Sequence, residues 1–185
     1  NISQPKPISF TSGGILEAHA FYFEPKNEHF ESLNELPPLI VLSHGGPTSS
    51  ARSSFDPAVQ FWTNRGFAVV DVNYGGSTGF GTEYRNRLNG NWGITDTQDC
   101  VEAAKYLAEN GLADRDRLII KGGSAGGYTT LCALTWHNIF AAGISRYGVA
   151  DLETLARDTH KFESKYLDSL IGPWPEESGI YIERS

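Results

Sequence analysis

Two serines in this chain stand between glycines in the pattern Gly-x-Ser-x-Gly, and either could act as a nucleophile. They are Ser77, within residues 75–79, and Ser124, within residues 122–126. A serine hydroxyl attacks a carbonyl efficiently only when a sharp turn from a strand into a helix exposes it and backbone donors hold the oxyanion that forms. Because the pattern also arises by chance, the residues around each serine must decide between the two.

The surroundings of Ser124 favour it as the nucleophile. An apolar run at 118–120 leads into it and a helical pattern of small residues at 125–136 follows it. This arrangement predicts a buried strand that turns directly into a helix, with the helix N-terminus behind the hydroxyl. Such a turn strains the serine backbone, and a side chain at Gly122 or Gly126 would clash with the neighbouring strand or helix.

The loop at residues 73–81, which contains Ser77, differs from this arrangement. It also follows a predicted strand, but Phe80 and Gly81 come after the motif and no helical pattern begins at once. Without a helix N-terminus directed at its hydroxyl, Ser77 is the weaker candidate. We therefore interpret residues 73–81 as a glycine-rich loop that lines a cleft.

A second glycine-rich stretch, residues 43–47 (SHGGP), could supply a donor for the oxyanion. It follows the apolar run at 38–42, and its glycines would let the backbone approach a substrate closely. The expected donors are the backbone N–H of Ala125, directly after the candidate nucleophile, and that of Gly46, with Gly45 as the alternative. A plain turn is the simpler interpretation, since two glycines before a proline are common in turns.

The remaining patterns predict the elements that would position these groups. Residues 8–23 alternate on either side of a glycine turn, as in a β-hairpin. Apolar runs predict four further strands, at 38–42, 67–72, 118–121 and 141–147, and helical patterns occupy 57–65, 96–110, 125–136 and parts of 152–170. Alternating strands and helices with glycine-rich turns predict an α/β fold, a mostly parallel sheet between two helical layers.

The composition describes one domain with an ordinary core: 185 residues, 39% hydrophobic and 20% charged. The net charge of −7 argues against nucleic acid or an anionic membrane as a partner. No apolar run approaches the roughly 20 residues that cross a membrane. Cys100 and Cys132 lie in helical patterns and are expected to be buried free thiols. We expect no cofactor or metal, and we predict a cytoplasmic location.

Five motifs, in this order, resemble the catalytic domain of the prolyl oligopeptidase family, particularly its acylaminoacyl-peptidase and dipeptidyl-peptidase branch. They are His44-Gly-Gly-Pro47, the loop 73–81, Trp92-Gly93, Asp96 with Asp99, and Gly122-Gly-Ser-Ala-Gly-Gly127. The resemblance spans about residues 1–151. It implies an α/β-hydrolase fold, an upstream β-propeller and a serine peptidase that cleaves short peptides.

Residue by residue, the resemblance implies Ser124 as the nucleophile, with Gly46 and Ala125 as the oxyanion donors. In some members of the family a tyrosine hydroxyl at the position of His44 replaces the donor of the glycine loop. The assignment of Gly46 therefore depends on the branch.

The acid and the base of a serine triad are not evident in the sequence. In this fold both follow the serine along the chain. His137 lies at the far end of the predicted helix, which leaves His160 as the downstream candidate for the base. Asp151 ends a predicted strand and could be the acid, although a helix cap is the favoured role. We expect both groups beyond residue 185, hence a C-terminally incomplete domain that is inactive alone.

Asp96 and Asp99 stand in the first turn of the helix predicted at 96–110. Acidic side chains are favourable there because they oppose the positive end of the helix dipole. We also predict that they hold the neighbouring loop through Arg85 or Arg87.

Two other functions remain open at this point. A carboxylesterase would use the same fold and the same serine turn, although the loop 73–81 favours a peptidase. A binding module without catalysis would keep the pocket and lack the base.

Overall fold

The structure is a computed structural model that describes residues 2–32, 34–158 and 165–185, and one sheet lies at its centre. Its strands are β1 (Lys6–Ser12), β2 (Leu16–Phe23), β3 (Leu39–Ser43), β4 (Ala68–Asn73), β5 (Leu118–Gly123) and β6 (Ala142–Arg146). Their order across the sheet is β1-β2-β4-β3-β5-β6. β1 pairs antiparallel with β2, and β2 pairs antiparallel with β4, whereas β4, β3, β5 and β6 run parallel. The predicted α/β fold with a mostly parallel sheet is confirmed.

Seven helices connect and cover these strands in the described part of the chain. They are α1 (Pro57–Thr63), α2 (Gly81–Asn86), α3 (Thr95–Glu109), α4 (Ala125–Trp136), α5 (Leu152–Asp158), α6 (Tyr166–Leu170) and α7 (Ser178–Glu183). Local signals define α1 well, since the Asp56 carboxylate accepts the N–H of Ala58 at 2.7 Å and proline occupies the first helical position. The short α2 and α7 have no counterpart among the predicted helices.

The helices form two layers, one on each face of the sheet. The larger core lies under α3 and α4 and includes the fully buried Val41, Leu107 and Ile120. The smaller core lies under α1, where Val59 packs with Phe23, Ile40 and Val69 of the strands. Truncating a buried residue such as Leu107 to alanine would cost about 2–5 kcal/mol. The predicted three-layer arrangement is therefore confirmed, with the two buried thiols, Cys100 and Cys132, free.

The two outer strands of the sheet differ in their surroundings. β1 packs against α3 and contributes the buried Phe10 to the larger core. β6 pairs with β5 alone among the described strands, and all five of its residues are exposed. The sheet is therefore open along β6 in the described part of the chain.

The register of the parallel strands places three loops at one edge of the sheet. Ser43 at the end of β3 is level with Val72 on β4 and with Gly122 on β5. The segments that follow these strands must therefore meet, because the carboxyl ends of parallel strands lie at the same edge. They are residues 43–51, residues 73–81 and the turn at Ser124.

Candidate active site

Ser124 occupies the turn between β5 and α4, as the sequence predicts, and its backbone is strained. Its φ of 54° and ψ of −123° lie in a region that favours glycine. Two backbone hydrogen bonds hold this conformation: Ser124 N–H donates to the Arg146 carbonyl at 3.0 Å, and its carbonyl accepts from Tyr128 N–H at 3.1 Å. The side chain is exposed. The hydroxyl is thus presented to solvent at the edge of the sheet.

The glycines on either side of Ser124 allow β3, β5 and α4 to approach closely. A Cβ at Gly122 would lie 2.1 Å from the carbonyl oxygen of Gly126. A Cβ at Gly126 would lie 2.1 Å from the carbonyl oxygen of Ser43. Both clashes are with backbone atoms, so a side chain at either position would force the helix away from the strands. The predicted reason for these two glycines is confirmed.

Ala125 begins α4, a helix of 12 residues. The first N–H groups of a helix have no partner within the helix, and the helix dipole makes this end favourable for negative charge. The Ala125 N–H directly follows the exposed serine and is one of these first N–H groups. Its catalytic role remains a prediction.

The loop at residues 43–47 lies directly against Ser124. A Cβ at Gly45 would be 3.3 Å from the carbonyl oxygen of Gly123 and 3.7 Å from the Cβ of Ser124. Gly46 follows with a φ of 127°, and a Cβ there would lie 2.9 Å from the nitrogen of Thr48. Only glycine therefore fits at position 46, and the predicted donor loop is next to the predicted nucleophile.

Ser77 is inaccessible, which excludes it as a nucleophile toward a substrate from solvent. Its exposure is 0%, and its Oγ lies 2.8 Å from Nε2 of His44. As predicted, no helix begins directly after Ser77, since α2 starts only at Gly81. The burial of Ser77 is a second difference from Ser124, and the sequence did not predict it.

The histidine of the donor loop, His44, is held from both sides. Its Nδ1 lies 2.9 Å from the carbonyl oxygen of Gly45, and its ring stacks on Tyr74 with centroids 4.2 Å apart and planes at 17°. Burial lowers the pKa of His44, and the bond to the Gly45 carbonyl opposes this only in part. The imidazole is therefore neutral near pH 7.

Further contacts join the loop at 73–81 to the loop at 43–51. The Tyr74 hydroxyl lies within hydrogen-bond distance of the His44 and Pro47 carbonyls, at 2.9 and 3.2 Å. The Ala51 N–H donates to Asn73 Oδ1 at 2.8 Å, and the Thr78 N–H donates to the Ser49 carbonyl at 2.8 Å. The glycine-rich loop at 73–81 thus packs against the predicted donor loop and holds it by several hydrogen bonds.

Asp99 ties the loop at 73–81 to α3 by a direct contact. Its Oδ2 accepts the backbone N–H of Gly75 at 2.7 Å. The predicted route through Arg85 or Arg87 is not formed as an ion pair among the described residues: Arg87 donates to the carbonyl of Glu17 at 2.7 Å. Its charge acts on Asp99 only without contact, where it opposes part of the rise in the Asp99 pKa that burial causes.

Asp96, one turn earlier, ties α3 to α4 and to the preceding turn. It is fully buried, accepts the N–H of Gly93 at 2.6 Å and accepts the hydroxyl of Thr129. Burial raises the pKa of Asp96 to about 6, although these hydrogen bonds act in the opposite direction.

Neither His137 nor Asp151 forms a hydrogen bond with Ser124. His137 follows the far end of α4, about 18 Å along a helix of this length. Asp151 accepts Thr154 N–H and the Thr154 hydroxyl, both at 2.9 Å, and these bonds lower its pKa, so the predicted helix cap is confirmed. His160 lies outside the described residues. Within residues 2–32, 34–158 and 165–185, no side chain forms a hydrogen bond with the hydroxyl of Ser124.

A cleft of about 240 Å³ opens beside the turn, on the face of the sheet that carries α1. Its lining includes Asp71, Lys121, Arg146 and Tyr147. Burial raises the pKa of Asp71 to about 7, with a smaller effect of the Asp56 carboxylate in the same direction. A larger groove of about 1350 Å³ is lined by residues 24–32 and 35–38, among others, at the amino-terminal ends of the parallel strands, away from Ser124.

The sequence profile of the prolyl oligopeptidase family matches residues 53–183. The chain belongs to the prolyl oligopeptidase family. It is 36% identical over 134 residues to dipeptidyl aminopeptidase BIII of Pseudoxanthomonas mexicana. The aligned residues make up 72% of this chain and 19% of that protein. It is 41% identical over 120 residues to dipeptidyl peptidase family member 6 of Caenorhabditis elegans, with 64% and 16% covered.

Solved structures of family members superpose closely on this chain. The crystal structure of puromycin hydrolase has a TM-score of 0.95 at 46% identity, over 98% of this chain and 28% of that one. The acylaminoacyl peptidase of Pyrococcus horikoshii has a TM-score of 0.86 at 30% identity, over 100% and 29%. These neighbours are α/β-hydrolase peptidases, so the predicted α/β-hydrolase fold is confirmed. The chain spans less than a third of the length of these relatives.

Sequence patterns missed the contacts of Ser77 and Tyr74 with His44. These residues are far apart along the chain, so no local motif joins them. The adjacency of β3 and β4 was the available signal, because the loops that follow neighbouring parallel strands must meet.

No helix in the described residues is long and apolar enough to span a bilayer.

Proposed function

We propose that the protein to which this chain belongs is a serine peptidase that cleaves short peptides through an acyl-enzyme at Ser124. The observation that carries the proposal is the exposed Ser124 itself, strained at φ 54° between a strand and a helix N-terminus. Such strain at an exposed polar residue persists only where the surrounding structure holds it, and it is frequent at active sites. Membership of the prolyl oligopeptidase family supports the same reaction.

In the proposed reaction, Ser124 Oγ attacks the carbonyl carbon of the scissile amide as a base removes its proton. The carbonyl oxygen becomes an oxyanion that accepts hydrogen bonds from the N–H groups of Ala125 and Gly46. The C–N bond then breaks, the protonated base gives its proton to the leaving amine, and water hydrolyses the ester that remains on the serine. Each oxyanion donor is expected to contribute about 10²–10³-fold to kcat.

The base and its acid partner are proposed to lie outside this chain. Two observations support this: no described side chain bonds the Ser124 hydroxyl, and the chain covers 28% of the puromycin hydrolase structure and 29% of the acylaminoacyl peptidase structure. The 185 residues alone are therefore expected to show little or no hydrolysis. An upstream β-propeller remains part of this proposal.

Short peptides and aminoacyl amides are the proposed substrates. The similarity to dipeptidyl peptidases, acylaminoacyl peptidases and puromycin hydrolase supports this class. Puromycin, an aminoacyl amide, is accordingly a suitable test substrate. A cytoplasmic location is also proposed, supported by the two buried free thiols, and cell fractionation would test it.

The test uses the full-length protein with fluorophosphonate labelling and two amide substrates, an aminoacyl p-nitroanilide and puromycin. We expect covalent labelling and turnover, and the loss of both in Ser124→Ala. Ser9→Ala is the control, because Ser9 is exposed and also contacts a histidine, with Oγ 2.9 Å from Nδ1 of His19. It should label and turn over normally. A short acyl ester is assayed beside the two amides. Labelling of Ser124 with rapid ester hydrolysis but no amide turnover would indicate a carboxylesterase, and the absence of both labelling and turnover would indicate a binding module.

A further inference from the structure

Asp96 is a carboxyl group that lies inside the protein without a positively charged partner. Its exposed fraction is 0%, and no ion pair includes it among the described residues. Its Oδ1 accepts the Gly93 N–H at 2.6 Å, and its Oδ2 accepts the Thr129 hydroxyl. An asparagine could make both bonds without the cost of burying a charge, by accepting one and donating the other. What the carboxylate adds is that, when ionised, it can only accept.

Thr129 lies in α4, one turn after Ala125, with two acceptors for its hydroxyl. Its Oγ1 is 3.1 Å from the Ala125 carbonyl oxygen, four residues back, and nearer still to Asp96 Oδ2. A hydroxyl carries a single hydrogen, so one acceptor receives most of it. Hydrogen bonds to an ionised acceptor are roughly twice as strong as those between neutral groups. The ionised Asp96 therefore keeps the hydrogen of Thr129 away from the Ala125 carbonyl.

The neighbouring Thr130 shows the same geometry without a carboxylate. It is also 0% exposed, and its Oγ1 donates to the Gly126 carbonyl, four residues back, at 2.9 Å. Bonds of this kind from a threonine to its own helix often bend the helix. Thr129 would make the corresponding bond to the Ala125 carbonyl if Asp96 did not take its hydrogen.

A bend in the first turn of α4 would act on the nucleophile. Ala125 begins the helix directly after Ser124, and its N–H is the candidate oxyanion donor. The turn has little room, because a Cβ at Gly126 would lie 2.1 Å from the Ser43 carbonyl oxygen. A pull on the Ala125 carbonyl in this confined turn therefore changes the direction of the N–H of the same residue.

The Asp96 carboxyl changes its charge near neutral pH. Burial raises its pKa to about 6, and the hydrogen bonds from Thr129 and Gly93 oppose this only in part. The titratable side chains that interact with it through their charges are Asp99 and Cys100 on α3, Tyr128 and Cys132 on α4, and Tyr74 in the loop at 73–81. Burial raises the pKa of each of these groups as well. The thiols and phenols are therefore neutral near pH 7, and Asp99 is the other acid of the group.

We propose that ionised Asp96 is a positioning residue for the turn at Ser124: it holds the Thr129 hydroxyl away from the Ala125 carbonyl, and its protonation releases that hydroxyl to the carbonyl. A protonated Asp96 donates to Thr129 Oγ1, whose own hydrogen then turns to Ala125. The proposal rests on the proposed function, since the direction of the Ala125 N–H matters only if Ser124 attacks a carbonyl. Asp96 and Thr129 are both buried, so neither touches the substrate.

Two substitutions separate this role from simple support of the fold. In Asp96→Asn the amide keeps both contacts but donates to Thr129, so the Thr129 hydrogen is directed to the Ala125 carbonyl at every pH. Thr129→Val keeps the shape of the side chain and has no hydroxyl to donate. Added to Asp96→Asn, it should therefore restore activity, although it leaves the buried amide without this partner. A purely structural role predicts a further loss instead.

The experiment measures kcat and KM of the full-length protein with a peptide amide from pH 5 to pH 8. At pH 8 we expect Asp96→Asn to lower kcat about tenfold, as a small misplacement of a catalytic group does. KM should stay nearly constant, because the oxyanion exists only in the transition state. The ratio of wild-type to variant kcat should fall toward one at pH 5, where Asp96 of the wild type is protonated. The base that serves Ser124 titrates in both proteins and cancels in this ratio, as does Asp99.

Thr130→Val is the matched control for Thr129→Val. Both threonines are buried in α4 and lie within reach of a carbonyl four residues back, but only Thr129 contacts Asp96. Thr130→Val added to Asp96→Asn should leave the tenfold loss in place. A ratio of kcat values that does not change between pH 5 and pH 8 would overturn the positioning role, and so would equal recovery from the two valine substitutions.

A second measurement does not depend on turnover. The carbonyl ¹³C resonance of Ala125 can be singled out by labelling alanine carbonyl carbons together with glycine nitrogens, because Gly126 follows it. In the wild type it should move downfield between pH 8 and pH 5, as the carbonyl accepts a further hydrogen bond. In Asp96→Asn it should have the downfield position at both pH values. A resonance that is the same in both proteins at pH 8 would refute the role of Asp96.

The two measurements also separate this proposal from the proposed function. If the wild type lacks turnover that depends on Ser124, the proposed function fails and the effect on catalysis fails with it. The Ala125 resonance still decides whether Asp96 controls the Thr129 hydroxyl. If turnover depends on Ser124 but the pH ratio is constant, only the role of Asp96 fails.

Discussion

The two Gly-x-Ser-x-Gly segments of this chain lie at the same edge of the sheet, on either side of the loop that follows β3, yet their serines have opposite environments. Ser124 is exposed and has a strained backbone, whereas Ser77 is wholly buried and outside the left-handed region. Ser124 has no hydrogen-bonded partner for its hydroxyl among the described residues, and Ser77 contacts a histidine at 2.8 Å. The serine that is paired with a histidine is the inaccessible one.

The difference arises from what each final glycine touches. Gly126 packs against the backbone at the end of β3, whereas Gly79 has open space where its Cβ would be. Close packing forces the chain to turn at Ser124 and to continue at once as α4. Residues 73–81 instead run across the neighbouring loop and bury their serine against it. The same short pattern therefore marks an exposed turn in one place and a supporting loop in the other.

The largest expected effect is on activity. In the full-length protein, Ser124→Ala should lower kcat by roughly 10⁴–10⁶-fold, as removal of a nucleophile does, whereas Ser77→Ala should lose about tenfold through the donor loop. Fluorophosphonate labelling, followed by mass spectrometry, should vanish only in Ser124→Ala. Labelling of Ser77 would contradict the contrast.

The next prediction concerns stability and compares Gly126 with Gly79, the final glycines of the two Gly-x-Ser-x-Gly motifs. Gly126→Ala places a methyl group 2.1 Å from the Ser43 carbonyl oxygen and should cost about 3 kcal/mol or more. In Gly79→Ala the added methyl group has no atom within 4 Å, and only the backbone φ of 95° is unfavourable for alanine. This strain should lower the free energy of unfolding by about 1–2 kcal/mol. Melting temperatures of the full-length variants would test the order, and equal losses would count against it.

A smaller effect should differ in sign between the two serines. Ser124→Gly relieves the strain at φ 54° and should stabilise the fold by about 1 kcal/mol, since glycine adopts this conformation freely. Ser77→Gly removes a buried hydrogen bond and should destabilise it by about 1–2 kcal/mol. The comparison of melting temperatures should be made at one pH. A destabilised Ser124→Gly would mean that the turn is not strained.

The smallest effect is the pH dependence due to His44. Because burial lowers its pKa in the folded state, the unfolded chain binds this proton first as the pH falls below about 6.5. The wild type should therefore lose stability below that pH, by at most about 1.4 kcal/mol per pH unit from this group. His44→Gln lacks this loss.

The difference between wild type and variant is the quantity to measure. Asp71 and Asp96 have raised pKa values, about 7 and about 6, and so stabilise the fold as the pH falls. Their contribution is common to both proteins and cancels in the difference. A difference that is constant from pH 7.5 to 5.5 would show that His44 is not held neutral.

The sequence predicts those features that depend on neighbours along the chain. The turn at Ser124 follows from an apolar run, small residues and two glycines within a few positions, and the cap at Asp151 follows from its place before a helical pattern. The mostly parallel sheet follows from the alternation of strands and helices.

Features that depend on contact across the sheet could not be read in this way. The pairing of Ser77 with His44 and the bond from Asp99 to Gly75 join residues from different loops and helices. The short α2 was missed because its glycine start resembles the loop before it. Burial of Ser77 is likewise a result of tertiary packing, which overrides the local pattern.

The two acidic residues one turn apart on α3 also have a kinetic consequence. Asp96 and Asp99 accept the backbone hydrogens of Gly93 and Gly75, so these two amides are protected by side chains rather than by a helix or a strand. Exchange of the Gly75 hydrogen with solvent deuterium requires α3 to part from the loop at 73–81, a local opening that need not unfold the sheet. The bond of Gly93 lies within the turn that leads into α3, so its exchange needs only an opening of that turn. The exchange rate at Gly75 would thus report how often the loop at 73–81 separates from α3.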